Sequence, residues 1–314
     1  MPLGIKIQNI SKNFDDIIAL RDVDIEISPG ELFGFIGPDG GGKTTLFRIL
    51  TSLLIPSSGV ASIGEFDVVK DYKMIRRNTG YMPGRFSLYM DLTVEENLSF
   101  YASIFNTTVR ENYDLIKDVY EQIEPFKKRR AGDLSGGMKQ KLALSCALSH
   151  SPEIIILDEP TTGVDAVSRM EFWELLKKMQ KRGMTIVVST PYMDEAALCD
   201  RVALIQKGTI LAVDKPQEIV NQYQGNLYSV KADNMFRLIS DLEAIEDTNH
   251  IFRFGESIHI TTNNNNDKEY RKKVESSLES AGYSSIVIKK EEPVIEDCFL
   301  SFMDSGREEL REKV

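Results

Sequence analysis

Gly37, Gly42, Lys43 and Thr44 stand at the spacing G-x-x-x-x-G-K-[ST] within the run IGPDGGGKTTL. Glycines let a backbone curl until several N–H groups face one anion, and a helix opening at Lys43 would add its positive dipole end. Lysine brings a point charge to the terminal phosphates of a nucleotide, and the Thr44 hydroxyl suits Mg2+. The loop Gly37, Pro38, Asp39, Gly40, Gly41, Gly42, Lys43, Thr44 and Thr45 is therefore the candidate grip on nucleotide phosphates.

Many nucleotide-binding families share such a grip, so other motifs must choose among them. The run DLSGGMKQKLALSCAL, Asp133 to Leu148, puts Ser135, Gly136 and Gly137 where a helix should begin, and IIILDEPTTGVD, Ile154 to Asp165, follows it. In order and spacing these runs resemble the ATP-binding cassette (ABC) family, with its LSGG(M/Q) signature and its apolar strand ending in Asp-Glu. The resemblance covers roughly Leu3 to Ile219. An apolar strand over Ile154–Leu157 would carry Asp158 to the C-terminal edge of a sheet, where a carboxylate orders Mg2+ directly or through water. Thr44 and Asp158 are thus the metal candidates. Glu159, next in line, is the candidate general base for an attacking water, and it completes a catalytic pair with Lys43.

The resemblance implies that one chain makes half of each site. In that family two cassettes pack head to tail, so Ser135, Gly136 and Gly137 of one would cap the γ-phosphate held by the other. Asp165 would be the D-loop aspartate at the seam, and Phe14 would stack on adenine. ATP and Mg2+ are the implied ligands, and a second cassette, as homodimer or heterodimer, is the implied partner. Two positions depart from the family pattern. Gly84, in YMPGRFSLY, replaces the usual glutamine, and Pro191, in STPYMDEA, replaces the switch histidine. Neither carries a polar side chain, so gripping is expected to be intact and hydrolysis at the chain's own site compromised, unless Tyr192 or a bound water substitutes.

The runs YMPGRFSLYMDLTVEENLSFYA, TTGVDAVSRMEFW and STPYMDEAALCDRVALI, with VIEDCFLSFM near the C-terminus, are similar to the ATP-binding subunits of ABC-2-type, drug-efflux-like exporters. That likeness implies ATP hydrolysis coupled to export through separate ABC-2-type membrane permease subunits, and a place on the inner face of the membrane. Two other readings stay open: a regulatory nucleotide-binding cassette with little turnover, and a soluble ABC ATPase acting on ribosomes or DNA. Ribosome-associated members usually carry two cassettes in one chain and DNA-repair types a long coiled-coil insertion, and the sequence shows neither.

The elements that must position these residues follow from periodicity. β-like runs at Ile5–Ile10, Val23–Ile27 and Leu32–Ile36 precede the glycine loop, and a helical pattern starts at Lys43. Apolar runs at Ile154–Leu157 and Thr185–Ser189, each followed by a helical pattern, predict a mostly parallel sheet with helices on its faces. Residues 85–130 turn mostly helical, with Leu98, Tyr101, Ala102 and Phe105 on one face, which predicts an inserted helical subdomain over about 85–150. After Tyr223–Gly225 the pattern changes. A strand at Leu227–Ala232, a helical face of Met235, Leu238, Ile239, Leu242 and Ile245, a hairpin around Gly255, a second helix through Tyr270, Val274, Leu278 and Ala281, and a strand at Ser285–Ile288 follow in order. This βαββαβ order predicts a ferredoxin-like unit, with Asn263–Asn266 as a loop. The expected fold is α/β: an ABC-type P-loop NTPase cassette over residues 1–224, with an antiparallel β subdomain and the helical insertion, then a C-terminal accessory α+β domain over 225–314.

Length agrees with two domains, since 314 residues exceed one average domain. A net charge of −10 argues against broad, phosphate-driven nucleic-acid binding. The three cysteines, Cys146, Cys199 and Cys298, lack ligand spacing and read as structural in a reducing, cytoplasmic setting. His150, His250 and His259 likewise lack metal spacing, and the KKRR run at Lys127–Arg130 reads as a solvated helix end. No apolar run is long enough to cross a membrane, and the start MPLGIKIQNI lacks a signal peptide's order, so membrane work would need a partner.

Overall fold

The computed structural model describes residues 2–85 and 87–311, with side chains as far as Met303. A long hairpin opens the chain, β1 (Ile5–Phe14) pairing antiparallel with β2 (Ile17–Ile27). Ile5, Ile7 and Ile10 are buried, as are Leu20, Val23, Ile25 and Ile27, while the residues between them largely face water. This alternation belongs to a sheet with one wet face. In contrast, all five residues of β3 (Leu32–Ile36) are buried, as expected of an interior parallel strand. The chain then makes the glycine loop and α1 (Lys43–Leu50). Strands β4 (Ser58–Ile63) and β5 (Phe66–Asp67) complete an antiparallel sheet in the order β2-β1-β4-β5. Helix α2 (Tyr72–Asn78) leads into β6 (Thr79–Met82).

Three helices follow: α3 (Val94–Ile104), α4 (Tyr113–Tyr120) and α5 (Gly136–Leu148). Thr93 opens α3 with a capping box, its Oγ1 accepting from the Glu96 N–H at 3.2 Å and its own N–H donating to Glu96 Oε2 at 2.8 Å. The KKRR run contributes through its backbone, because the carbonyls of Arg129 and Lys127 accept from the N–H groups of Val94 (3.0 Å) and Glu95 (3.1 Å). Phe105 falls just past α3 as its C-cap and stacks on His150 with ring centroids 3.8 Å apart.

Strand β7 (Ile154–Asp158), α6 (Ala166–Lys181), β8 (Thr185–Thr190), β9 (Arg201–Gln206) and β10 (Thr209–Asp214) complete the first unit. The six-stranded sheet runs β10-β9-β3-β8-β7-β6, parallel throughout except for β10 at one edge. Its register pairs Ile36 with Thr190, Asp158 with Ser189, and Met82 with Leu157. The segments that leave β3, β8, β7 and β6 therefore emerge along a single edge.

The chain divides into two compact units, Met1–Pro216 and Gln217–Val314, ahead of the 224/225 boundary expected from the pattern change. Helix α7 (Pro216–Asn221) straddles the division, and Tyr223 beyond it is tied to the second unit through its hydroxyl, 2.5 Å from Thr261 Oγ1. That unit runs β11 (Asn226–Lys231), α8 (Met235–Glu243), β12 (Ile251–Phe254), β13 (Ser257–Thr262), α9 (Asp267–Ser280), β14 (Val287–Glu291) and α10 (Ile295–Arg311). Its sheet order, β12-β13-β11-β14, is antiparallel throughout, which is the ferredoxin-like arrangement of βαββαβ. Gly255 turns the hairpin at φ 57, the left-handed conformation such a turn demands. The last strand begins at Val287 rather than at Ser285. Ser285 sits at φ 54, in the left-handed region, and Ser284 is drawn to Asp233 by its N–H (3.3 Å) and hydroxyl (2.6 Å), so extended backbone cannot start there.

Candidate functional site

The loop between β3 and α1 lines a cavity of about 820 Å³ with Asp39 to Thr45. A Cβ on Gly37 would stand 2.0 Å from the Ile205 carbonyl oxygen, and Gly42 sits at φ 104; side chains at these points would push the loop off β9 or strain it. The Lys43 side chain is 3% exposed, and its Nζ donates to the carbonyls of Gly37 (2.7 Å) and Pro38 (3.0 Å) and lies 3.2 Å from Glu159 Oε1. The ammonium is thus held across the mouth of the loop by acceptors it can exchange for phosphate oxygens.

Asp158 closes β7 and is 2% exposed. Ser189 of β8 organises both acids, its Oγ donating to Asp158 Oδ1 at 2.6 Å while accepting from the Glu159 N–H at 3.0 Å. The Glu159 N–H also reaches the Ser189 carbonyl at 3.1 Å. These two bonds hold Glu159 at φ 50, a left-handed backbone costly for a residue with a Cβ and common where a fold positions reacting groups. Asp158 Oδ2 lies 3.8 Å from where a Cβ on Gly84 would stand, so it faces the space in front of Gly84. Thr44 lines the same cavity. Hydroxyl and carboxylate oxygens suit Mg2+, which takes one or two protein ligands and completes its shell with phosphates and water; the residues present fit that ion.

A second buried acid ties the loops after β7 and β8 together. Glu195, 2% exposed, accepts from Thr161 Oγ1 at 2.9 Å and Thr190 Oγ1 at 2.5 Å, with Arg169 Nε 3.8 Å away. The Arg169 guanidinium lies over the Tyr192 ring at 4.7 Å. Pro191 therefore sits in a segment pinned on both sides, and the Gly37 N–H donates to the Thr190 carbonyl at 3.3 Å.

Other sequence candidates stand apart from this cavity. Ser135 caps α5, accepting from the Met138 N–H at 3.4 Å, and a Cβ on Gly137 would meet Ser168 Oγ of α6 at 2.6 Å. Asp165 caps α6 through the N–H groups of Val167 and Ser168, and the Ser168 N–H leads in drawing its carboxyl below the usual range. Ser135, Gly136, Gly137 and Asp165 are absent from the cavity lining among the described residues. Phe14 is 44% exposed at the end of β1, with Lys12 Nζ 5.1 Å from its ring centroid. Ile17 and Ile18, exposed at 70% and 46%, line the cavity on that side instead. Arg48, Tyr81 and Arg85 also line it. Burial first, then the nearby Asp158 charge, pushes the Tyr81 phenol up to about 12.

These features can be set beside known proteins. A family profile described as ABC transporter matches residues 20–162. The chain is 38% identical over 220 residues to the probable multidrug ABC transporter ATP-binding protein YbhF of Escherichia coli (strain K12), covering 69% of this chain and 38% of that relative. It thus spans well under half the length of that relative. It is 35% identical over 224 residues to the Nod factor export ATP-binding protein I of Burkholderia thailandensis, covering 70% of this chain and 74% of the relative. Among solved structures, cbiO1 from Clostridium perfringens, part of the ABC transporter complex cbiONQ, superposes with a TM-score of 0.64 at 28% identity, over 71% of this chain and 92% of that one. A dimeric ATP-binding cassette in a post-hydrolysis state, bound to ADP and Pi, gives a TM-score of 0.60 at 28% identity, over 67% and 98%. With the glycine loop, the acid pair and the parallel sheet that aligns them, the chain belongs to the ABC transporter family as an ATP-binding cassette, a family of ATPases.

Proposed function

We propose that the chain is the ATP-binding subunit of a membrane exporter, working with a second cassette and with separate ABC-2-type permease subunits at the inner face of the membrane. The observation that carries the nucleotide chemistry is the convergence of Lys43 Nζ, Glu159 and Asp158 at one sheet edge, with Lys43 and Glu159 3.2 Å apart. In this reading residues 37–45 wrap the phosphates, and Lys43 exchanges the Gly37 and Pro38 carbonyls for β- and γ-phosphate oxygens. Thr44 and Asp158 would hold Mg2+, whose charge would offset that developing on the phosphate oxygens. Once Lys43 turns to phosphate, Glu159 is released to accept a proton from the water that attacks the γ-phosphorus, the bond to the β–γ bridging oxygen breaking as the new one forms.

Ser135–Gly137, outside the lining of the chain's own cavity, would cap the γ-phosphate of the partner cassette, with Asp165 at the seam. Export as the driven process is supported by two relatives named for multidrug transport and Nod factor export. Residues 225–314 serve as an accessory domain. The chain's own site would hydrolyse slowly, because Gly84 and Pro191 supply no donor where the family pattern has an amide and an imidazole. A regulatory cassette with little turnover is the second reading, favoured by those same two positions.

Affinity purification of the full chain from detergent-solubilised membranes of its native host, with identification of bound polypeptides, tests the partner assignment. The expected result is co-purification of subunits with several transmembrane helices. Recovery with ribosomes or chromatin, and without membrane subunits, would contradict it.

A further inference from the structure

The second unit holds a cavity that nucleotide chemistry does not use. Helices α8 and α9 pack against Tyr228, Val230, Ile258 and Ile260 on one face of its sheet, so the alternate residues face the other way. On that outer face His259, Ser229 and Lys289 stand side by side across β13, β11 and β14, in the floor and wall of a cavity of about 440 Å³.

Its floor is a hydrogen-bonded histidine–aspartate pair withdrawn from water. His259 is 6% exposed and Asp297, in the first turn of α10, 1%. His259 Nδ1 and Asp297 Oδ1 are 2.7 Å apart, and Asp297 Oδ2 accepts from the Val294 N–H at 2.9 Å. The Phe254 ring lies parallel to the imidazole at 4.2 Å. The imidazole is therefore fixed on one edge and one face. Apolar side chains of similar volume would hold α10 on the sheet as well or better, so the polar pair is better explained by what it presents to the cavity. With Nδ1 taken by Asp297, Nε2 is the ring nitrogen left for a ligand.

The rim states the ligand's charge. Lys231 is engaged by Glu256 at 3.6 Å, and Glu291 accepts from Ser229 Oγ at 2.8 Å. Lys289 and Glu292 line the same cavity with opposite charges, and neither forms an ion pair or side-chain hydrogen bond among the described residues. Val287 and Val294, exposed at 44% and 48%, add apolar surface beside them. A ligand of one charge sign meets one attractive and one repulsive group. A ligand bearing both meets two attractive ones.

We propose that this cavity binds a small zwitterion, an α-amino acid with an aliphatic side chain. Its carboxylate lies on Lys289 beside the His259 ring, its ammonium on Glu292, and its side chain against Val287 and Val294. The proposal is independent of the exporter reading, and ATP binding measured alongside keeps the two failures apart.

The test uses the full chain with isotopically labelled histidine, whose three imidazoles are followed by NMR during titration with leucine, valine and isoleucine. Isocaproate and isoamylamine, each carrying one of leucine's two charges, are the controls, and His259→Gln serves to assign the signal. At least one amino acid should shift the His259 signal saturably, with both single-charge controls about tenfold weaker or more. Lys289→Ala and Glu292→Gln, both at exposed positions, should each weaken binding about tenfold with unchanged melting temperature. If His259→Gln fails to fold, these two variants carry the test through calorimetry. No saturable shift with any of the three amino acids, equal binding of a single-charge control, or unchanged affinity in Lys289→Ala would overturn the proposal.

Discussion

Lys43 and Glu159 touch each other, yet they answer to different measurements. A charge-assisted contact contributes roughly 1.5–3 kcal/mol, so Lys43→Ala should weaken ATP binding about tenfold or more by calorimetry. Unchanged affinity would remove the glycine loop as the grip. Glu159→Gln keeps the shape of the side chain and removes its basicity. It should leave ATP affinity near the native value while lowering whatever turnover exists, and loss of both together would sink the general-base role. These residues were legible because G-x-x-x-x-G-K-[ST] and Asp-Glu after an apolar run are local patterns. Ser189, which bonds to both acids, and Glu195, which joins Thr161 to Thr190, were not. Their roles exist only once β7 and β8 lie side by side, and a serine or glutamate in sequence carries no mark of that. Ile17 and Ile18 were hidden for the opposite reason, since apolar side chains carry no mark of nucleotide chemistry.

At the scale of elements, α5 meets β6 through His150, which follows the helix and stacks on Phe105. Among the described residues, neither ring nitrogen finds a hydrogen-bond partner of good geometry. Burial lowers its pKa from 6.5 to about 4, the Thr79 backbone offsetting part of that. The folded state therefore holds His150 neutral where an unfolded chain would begin to bind a proton. This contribution to stability is complete above the unfolded value of 6.5 and is lost as pH falls through about 4. It amounts to about 1–3 kcal/mol. Urea unfolding followed from pH 7 to pH 4 should show a steeper loss for the native chain than for His150→Gln, and parallel curves would contradict a buried neutral imidazole. Periodicity revealed most of the elements themselves. β7 reads as an unbroken apolar run because both its faces are covered, and the helical face through Met235, Leu238 and Leu242 is the side of α8 that packs on the sheet. The start of β14 was misplaced because the Ser284 bonds to Asp233 reach across 51 residues, a constraint that no local window contains.

For the whole molecule, the division into two units implies separable folding. A fragment ending at Gln224 should stay monodisperse, unfold cooperatively and bind ATP as the full chain does; aggregation or lost binding would show that the accessory unit completes the cassette's core. The chemistry of the site turns on the balance between gripping and breaking. Losing one preorganised donor to developing charge costs about 10²–10³ in kcat, which would bring a typical ~10 s⁻¹ ATPase to roughly 0.01–0.1 s⁻¹. Slow turnover in a homodimer would leave the intact Ser135–Gly137 free to serve a competent site on a different cassette. A Cβ on Gly84 would stand 3.1 Å from the Asp158 carbonyl oxygen, so restoring glutamine there needs a local shift of a few tenths of an ångström, and ATP affinity must be checked alongside. The decisive measurement is steady-state Mg2+-ATP hydrolysis by the purified native chain and by Gly84→Gln with Pro191→His at matched ATP occupancy. Slow native turnover that rises about tenfold or more in the double variant is the result predicted; native turnover of several per second that the two changes leave unaltered would contradict a compromised site.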